Sequence, residues 1–290
     1  MKVAGFSIAR NVIKYDYPIK ESILSVLPMV DKFYIAVGKS EDDTLNYIKS
    51  IDSEKLVILE TTWDDSLREG GLVLSHETNK AFDSITSEYD WAFYIQGDEV
   101  VHEKYHSIII QEMALNLNNK GVMGLLFGYK HFYASYDYIG DSRKWYRNEI
   151  RIVRNDKRIR SYKDAQGFRT IEDNKLTVKK IDAEIFHYGW VKSPEIQQEK
   201  MKHFNKLWHS DDWVAENVGD SNLFDYSNID SLQLFEGTHP KVMEERIKNK
   251  NWEFKFNKSK LNTNYLNKFL TLIEKSTGWR PGEYKNYKRI

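Results

Sequence analysis

The residues best placed to do chemistry are the acids that close the run Asp90-Trp91-Ala92-Phe93-Tyr94-Ile95-Gln96-Gly97-Asp98-Glu99. Trp91 to Ile95 is short, apolar and aromatic, and reads as a buried strand. It stops abruptly at Gln96-Gly97-Asp98-Glu99. Two adjacent carboxylates at the C-terminal end of a buried strand need partners, because an unpaired buried charge is costly. In an open α/β sheet that edge is where ligands bind. Oxygen ligands there suit a hard cation, Mn²⁺ or Mg²⁺, bridging to phosphate. The same four residues also read as a solvated acidic turn, so the rest of the chain must decide.

Other candidate groups are scattered more widely. Arg143-Lys144-Trp145-Tyr146-Arg147, continued by Arg151 and Arg154, is a spaced basic run. It suits a diphosphate or an anionic acceptor, or else it is an ordinary solvated face. His203 and His209 lie near Asp211 and Asp212, but their spacing is poor for a metal pair on one helix. His239, just before Pro240, either touches a donor phosphate or belongs to a turn entering a helix. Cysteine is absent, which excludes disulfides, thiolate metal sites and cysteine nucleophiles.

The elements that must position these groups follow from the pattern. Val3–Ile8, Asp31–Gly38, Leu56–Glu60 and Trp91–Ile95 read as strands. Helices are expected from Pro18 to Val26, after the Ser40 cap, and from Leu72 to Ser84. That β-α-β-α-β-α-β order implies an α/β fold with a mostly parallel central sheet flanked by helices. Further strands are expected at Val122–Tyr129, Glu149–Asn155 and Ile181–Phe186. From Ser193 onward the pattern is helical. The expected organisation is a domain over 1–192 and a helical C-terminal extension over 193–290 packed on it.

Composition narrows the class. The chain has 290 residues, 41% hydrophobic and 30% charged, as a globular protein does. Formal charge is zero, but residues 1–100 carry 10 Lys/Arg against 18 Asp/Glu, leaving 33 against 25 for the remainder. That asymmetry argues against a nucleic-acid binder and permits a basic later half facing phosphates. No apolar run approaches a membrane span. The start reads as a strand rather than a signal peptide, and a cytoplasmic location is the expectation. The Tyr284–Arg289 tail offers a short basic, aromatic surface for peripheral contact with an anionic membrane. The glycine patterns of dinucleotide folds and P-loops are missing.

The first 190 or so residues resemble the family-2-like nucleotide-diphospho-sugar glycosyltransferases, which have the GT-A fold. The resemblance rests on Ala9-Arg10-Asn11 at the first strand edge, Gly38-Lys39-Ser40-Glu41-Asp42-Asp43-Thr44 at the second, Arg68, Asn79 and Ala81 before the fourth strand, and Gln96-Gly97-Asp98-Glu99 in place of the usual DXD-type motif. Two positions depart from the pattern. Val12 stands where the family has an acid, and Gln96 stands where it has its first aspartate.

The resemblance implies transfer of a sugar from a nucleotide-diphosphate donor to an acceptor hydroxyl, metal-dependent and inverting. It implies donor contacts from Ser7, Ala9, Arg10, Ser40, Asp64, Arg68, Gln96 and Gly97. The metal ligands would be Asp98 and His187, the latter in Ile185-Phe186-His187-Tyr188-Gly189-Trp190. Asp164 would deprotonate the acceptor, with Glu149, Glu99 and Asp211 as competitors, and Glu99 would orient the acceptor or hold the loop. The partners would be a nucleotide-sugar donor and a glycan, lipid-linked or protein acceptor. The alternative is a protein that kept the fold as a sugar-binding or nucleotide-binding scaffold and lost catalysis.

Overall fold

Strands that alternate two apolar sets must bury both faces of a sheet. Phe33, Ile35 and Val37 join Trp91, Phe93 and Ile95 in one core, together with Ile19, Ile23 and Val26. Tyr34 and Ala36 join Ala92, Tyr94 and Phe6 in a second core, together with Ala81 and Phe82. In the computed structural model, which describes residues 1–67, 69–218, 221–256 and 265–290, these two cores lie on the two faces of one sheet.

The chain begins β1 (Val3–Ala9), α1 (Ile19–Val26), β2 (Lys32–Gly38), α2 (Thr44–Lys49), β3 (Leu56–Thr61), α3 (Leu72–Ser84), β4 (Trp91–Tyr94). These four strands pair in parallel in the order β3-β2-β1-β4. The order reverses at β1, between β2 and β4, which makes the C-terminal ends of β1 and β4 the topological switch point. The expected α/β fold, with its mostly parallel central sheet flanked by helices, is therefore what the chain adopts.

Beyond β4 the sheet changes character. There follow β5 (Glu99–Val101), α4 (His106–Leu115), β6 (Gly124–Tyr133), β7 (Ser135–Gly140) and β8 (Asn148–Arg154). Then come β9 (Ile159–Tyr162), β10 (Gly167–Thr170) and the long β11 (Leu176–Trp190). β8 runs antiparallel to β4 and to β6, and β6 turns back into β7. β11 lies parallel to β6 and antiparallel to β5. β9 and β10 form a separate hairpin.

The C-terminal part contains α5 (Pro194–Lys206), α6 (Asp211–Asn217), β12 (Leu232–Leu234), α7 (Glu244–Lys248), α8 (Tyr265–Thr277) and β13 (Tyr287–Arg289). The expected C-terminal helices are present, and two short strands accompany them. β12 pairs with β7, and β13 pairs with β11, so two short strands join the main sheet. The tail at Tyr287 is buried in that pairing. No helix among the described residues is long and apolar enough to cross a membrane.

Candidate active site

The switch point holds a cavity of about 310 Å³, within the size range of small-ligand sites. Ala9 and Arg10 reach it from the end of β1, and Gln96, Gly97 and Asp98 from the end of β4. His187 and Gly189 enter from β11, and Asp164 from the turn between β9 and β10. α5 covers it with Gln197, Lys200, His203 and Phe204. Ser193 caps that helix, accepting from the Ile196 N–H, with Pro194 in the first turn.

Each strand end is tied down. The Ser22 hydroxyl donates to the Gln96 carbonyl at 2.9 Å, and the Tyr188 N–H to the Asp98 carbonyl at 2.7 Å. Gly189 must be glycine here, because a Cβ would stand 2.6 Å from Asp98 Oδ2 and 2.8 Å from the His187 ring. Asp98 Oδ2 faces Lys200 Nζ at 3.4 Å, and the same ammonium donates to the Gly189 carbonyl at 2.9 Å. Burial opposes ionisation of Asp98, but Lys200, His187 and Lys192 outweigh it and hold the carboxyl down at about 2.

The other oxygen of Asp98 looks toward His187, whose Nε2 is 3.8 Å from Oδ1. Hydrogen bonding fixes the tautomers. His131 Nε2 lies 2.8 Å from the Tyr146 carbonyl, which only accepts, so Nε2 carries a proton. Burial drives the His131 pKa well below its ordinary value, so the ring is neutral and its Nδ1 is bare. That Nδ1 must accept from His187 Nδ1–H, 3.2 Å away. Burial also lowers the His187 pKa, which leaves a neutral ring with a bare Nε2 turned toward a carboxylate. Two lone-pair groups facing each other call for positive charge between them.

The fit to a divalent cation is thus specific but partial. Asp98 Oδ1 and His187 Nε2 converge, and an imidazole suits Mn²⁺ better than Mg²⁺. Among the described residues no group of three or more His, Asp or Glu could hold a metal alone. Ligand oxygens and water would have to complete the coordination.

Glu99, next to Asp98 in sequence, has a different fate. It is fully buried and absent from the cavity wall. Arg151 grips it through Nε to Oε2 and Nη2 to Oε1, both at 2.7 Å, and the Tyr129 hydroxyl donates to Oε1 at 2.7 Å. The guanidinium lies 5.4 Å from the ring centres of both Tyr94 and Tyr129. Of the three roles expected for Glu99, as a rival base, in orienting the acceptor or in holding the loop, this geometry corresponds to holding the loop: Glu99 Oε2 also accepts from the Gln96 N–H. It corrects the solvated-face reading of Arg151.

Asp164 sits in a strained turn. Its neighbours Lys163 and Ala165 have φ of 51° and 60°, unusual for residues with a Cβ. Burial raises the Asp164 pKa, which makes the carboxylate a better proton acceptor. Gln96 donates from Nε2 to the Ala165 carbonyl of this turn at 3.2 Å.

The remaining expected donor contacts divide. Ser7 is buried and donates to the Ile95 carbonyl at 2.6 Å, so it ties β1 to the end of β4 without lining the cavity. Ser40 donates to the Gly38 carbonyl and accepts from the Asn11 N–H, bridging the ends of β1 and β2. Asp64 caps its own loop through the Ser66 N–H and hydroxyl. Arg68 lies outside the described residues. Arg10 does line the cavity, where it meets Asp65 at 2.6 Å and stacks over Trp63. His203 also lines it, stacked on Tyr15, whereas His209 stacks on Trp213 instead. His239 is held by the Tyr188 hydroxyl and the Tyr136 carbonyl in an aromatic cluster, not at a phosphate.

Sequence reasoning missed Lys200, His131 and Tyr17, which lines the cavity with its ring centre 4.6 Å from Lys200 Nζ. Lys200 lies within an amphipathic helix and carries no motif. Its burial on that helix is visible only in the fold.

No protein-family model matches the chain, and no curated protein matches it. Among solved structures it is similar to S. aureus TarS 1-349 in complex with UDP, at 15% identity over 70% of this chain and 64% of that one, TM-score 0.39. It is also similar to glucosyl-3-phosphoglycerate synthase from Mycobacterium tuberculosis in complex with Mn²⁺, UDP-glucose and phosphoglyceric acid, at 16% identity over 46% and 44%, TM-score 0.29. A third is 4-diphosphocytidyl-2C-methyl-D-erythritol synthase from Anaerococcus prevotii, at 8% identity over 53% and 70%, TM-score 0.34. The chain spans less than two thirds of the TarS chains it matches. At TM-scores below 0.5 these similarities carry no argument about what this chain does.

Proposed function

We propose that the chain transfers a glycosyl group from a nucleoside-diphosphate sugar to an acceptor hydroxyl, with inversion. The observation that carries this reading is the position of Asp164. This residue lies on a wall shared by two cavities, the one at the switch point and a second beside it. A donor in the first and an acceptor in the second would meet beside Asp164.

The chemistry balances simply. Asp164 takes the acceptor hydroxyl proton as the oxygen attacks the anomeric carbon, and the bond from that carbon to the donor diphosphate breaks on the opposite face. Arg10 and Lys200 line the donor cavity and offer positive charge to the diphosphate. Asp98 and His187 would hold a divalent cation, Mn²⁺ or Mg²⁺. When bound, such an ion neutralises charge on a departing diphosphate. Ala9 and Gly97 line the donor cavity, while Ser7 and Ser40 shape it from behind.

A second reading has its own support. Gln96 adds no charge where the resembled family has an acid, and its amide is engaged by the Ala165 carbonyl. That favours a protein which binds nucleotide sugars without turning them over. A screen of nucleotide sugars with Mn²⁺, read by thermal stabilisation and by sugar release, separates the two. Stabilisation with release supports the transferase, and stabilisation without release or transfer supports the scaffold. Absence of any stabilisation would sink both.

A further inference from the structure

The second cavity is the larger, at about 550 Å³. Tyr146, Asp164 and Gln166 line it and the first alike. The rest of its wall comes from the segment between β7 and β8, from the start of β8, from the β9–β10 turn, from Trp208 and from residues 280–287. Four of the five cations that line it are held in ion pairs, and the fifth, Lys163, lies 5.3 Å from the Tyr162 ring centre. Arg147 grips both oxygens of Glu283, at 2.8 and 2.7 Å. Arg143 and Arg280 converge on Glu274, and Lys144 lies 3.0 Å from Asp230. This corrects the expectation that the basic run awaits a diphosphate or an anionic acceptor.

What remains on the wall is polar and unpaired. Glu149 Oε2, Asn148 Oδ1 and Trp208 Nε1 are buried atoms with no hydrogen-bond partner among the described residues. The set mixes an amide oxygen and a carboxyl with an N–H donor. A hydroxyl both donates and accepts, so a hydroxyl-rich molecule satisfies such a mixture. A phosphate or carboxylate only accepts, and would leave the amide oxygen unpaired. Trp208 and Tyr284 add aromatic faces of the kind on which sugar rings pack.

We propose that the second cavity binds the acceptor, that this acceptor is an uncharged polyhydroxylated chain, and that the Glu149 carboxyl is its main polar anchor. The inference rests on the glycosyl-transfer reading. Glu149 sits on β8 with only 6% of its surface exposed. Its Oε1 accepts from Gln166 Nε2 at 3.0 Å, so one residue joins it to the wall between the cavities. A Cβ at Gly167 would stand 3.3 Å from Oε2 and 2.7 Å from Asn286 Nδ2, so glycine leaves room beside the carboxyl. Burial, with Glu99 and Asp164 nearby, pushes the Glu149 pKa up to about 8 in spite of Arg151. The group therefore keeps its proton at neutral pH. Since Oε1 already accepts, the proton belongs on Oε2, where an acceptor hydroxyl oxygen would receive it.

The test is a printed array of neutral and anionic oligosaccharides probed with the full chain, beside thermal melts with UDP, GDP, CDP and ADP. Retention of neutral oligosaccharides is expected. Glu149→Leu should reduce it at least about ten-fold, roughly 1.4 kcal/mol. Glu149→Gln should keep most of it, since an amide still donates and accepts. Tyr284 is 72% exposed, so Tyr284→Ala leaves the fold unthreatened and should weaken retention a few-fold; it decides the matter if Glu149→Leu does not fold. Retention of anionic oligosaccharides alone, no retention, or retention indifferent to the variants overturns the proposal. If a nucleoside diphosphate stabilises the chain in that event, glycosyl transfer survives and only the acceptor assignment falls. If none does, both fall.

Discussion

The two cavities share a wall and differ in almost everything else. In the first, charges face the ligand space: Asp98 against Lys200, with His187 offering a bare nitrogen. In the second, charges pair with each other, and neutral polar atoms are left over. An opposed, incompletely neutralised set suits a charged ligand such as a diphosphate with its cation. A self-neutralised wall with unpaired donors and acceptors suits hydroxyls. On the proposed reading, the difference assigns each cavity its own substrate, and the shared wall is where the two would react.

Arg151 supports that wall from beneath, and removing it should have the largest effect. Arg151 donates to Glu99 on the side of the first cavity and to the Gln166 carbonyl at 2.8 Å on the wall itself. Arg151→Met leaves Glu99 buried without its partner. Breaking a buried pair from one side costs about 3–5 kcal/mol, so a urea melt should show a loss of that order. A loss near zero would mean that the wall stands without the pair. Next comes the residue common to both cavities. Asp164→Asn should lower kcat by about 10²–10⁴, the usual contribution of a general base, with donor KM moved far less. An equal loss in both parameters would place Asp164 in binding instead.

Effects confined to one cavity should be smaller. Asp98→Ala removes one of two converging donors. The stabilisation that Mn²⁺ and UDP give together should then weaken by at least about ten-fold in affinity, roughly 1.4 kcal/mol. Neutral-oligosaccharide retention should hardly move. If retention falls in step with Mn²⁺ binding, the cavities are one site and the comparison fails.

The first cavity was far more legible in the sequence than the second, for a physical reason. Parallel strands buried on both faces are written as apolar runs, and their C-terminal ends follow directly, so Asp98 and Gln96 could be placed from Trp91–Ile95 alone. The fate of Glu99 could not, because its partner stands 52 residues away on an antiparallel strand whose arginines look solvated. Lys200 was hidden in the same way, on a helix whose buried face only the fold reveals. The second cavity gathers residues from 143 to 167, Trp208 and 280 to 287, which no local pattern connects. β12 and β13 are three residues each and too short to carry a periodic signal, which is why the C-terminal part read as helical throughout.

A further effect belongs to the second cavity alone. Glu149 has its pKa raised from an ordinary 4.5 to about 8 by burial. Between those values the folded chain binds a proton that the unfolded chain has released. Stability must then fall as pH rises through that window, and level off above it. Below about pH 4.5 both states are protonated, and the group contributes no pH dependence. Glu149→Gln removes the titration while keeping the shape, so the difference between variant and wild type isolates it from every other group. Urea melts at pH 4.5, 6 and 8 should show the variant gaining on the wild type step by step. A difference that stays flat across the three would mean that Glu149 ionises freely, and the second cavity would then carry a charge after all.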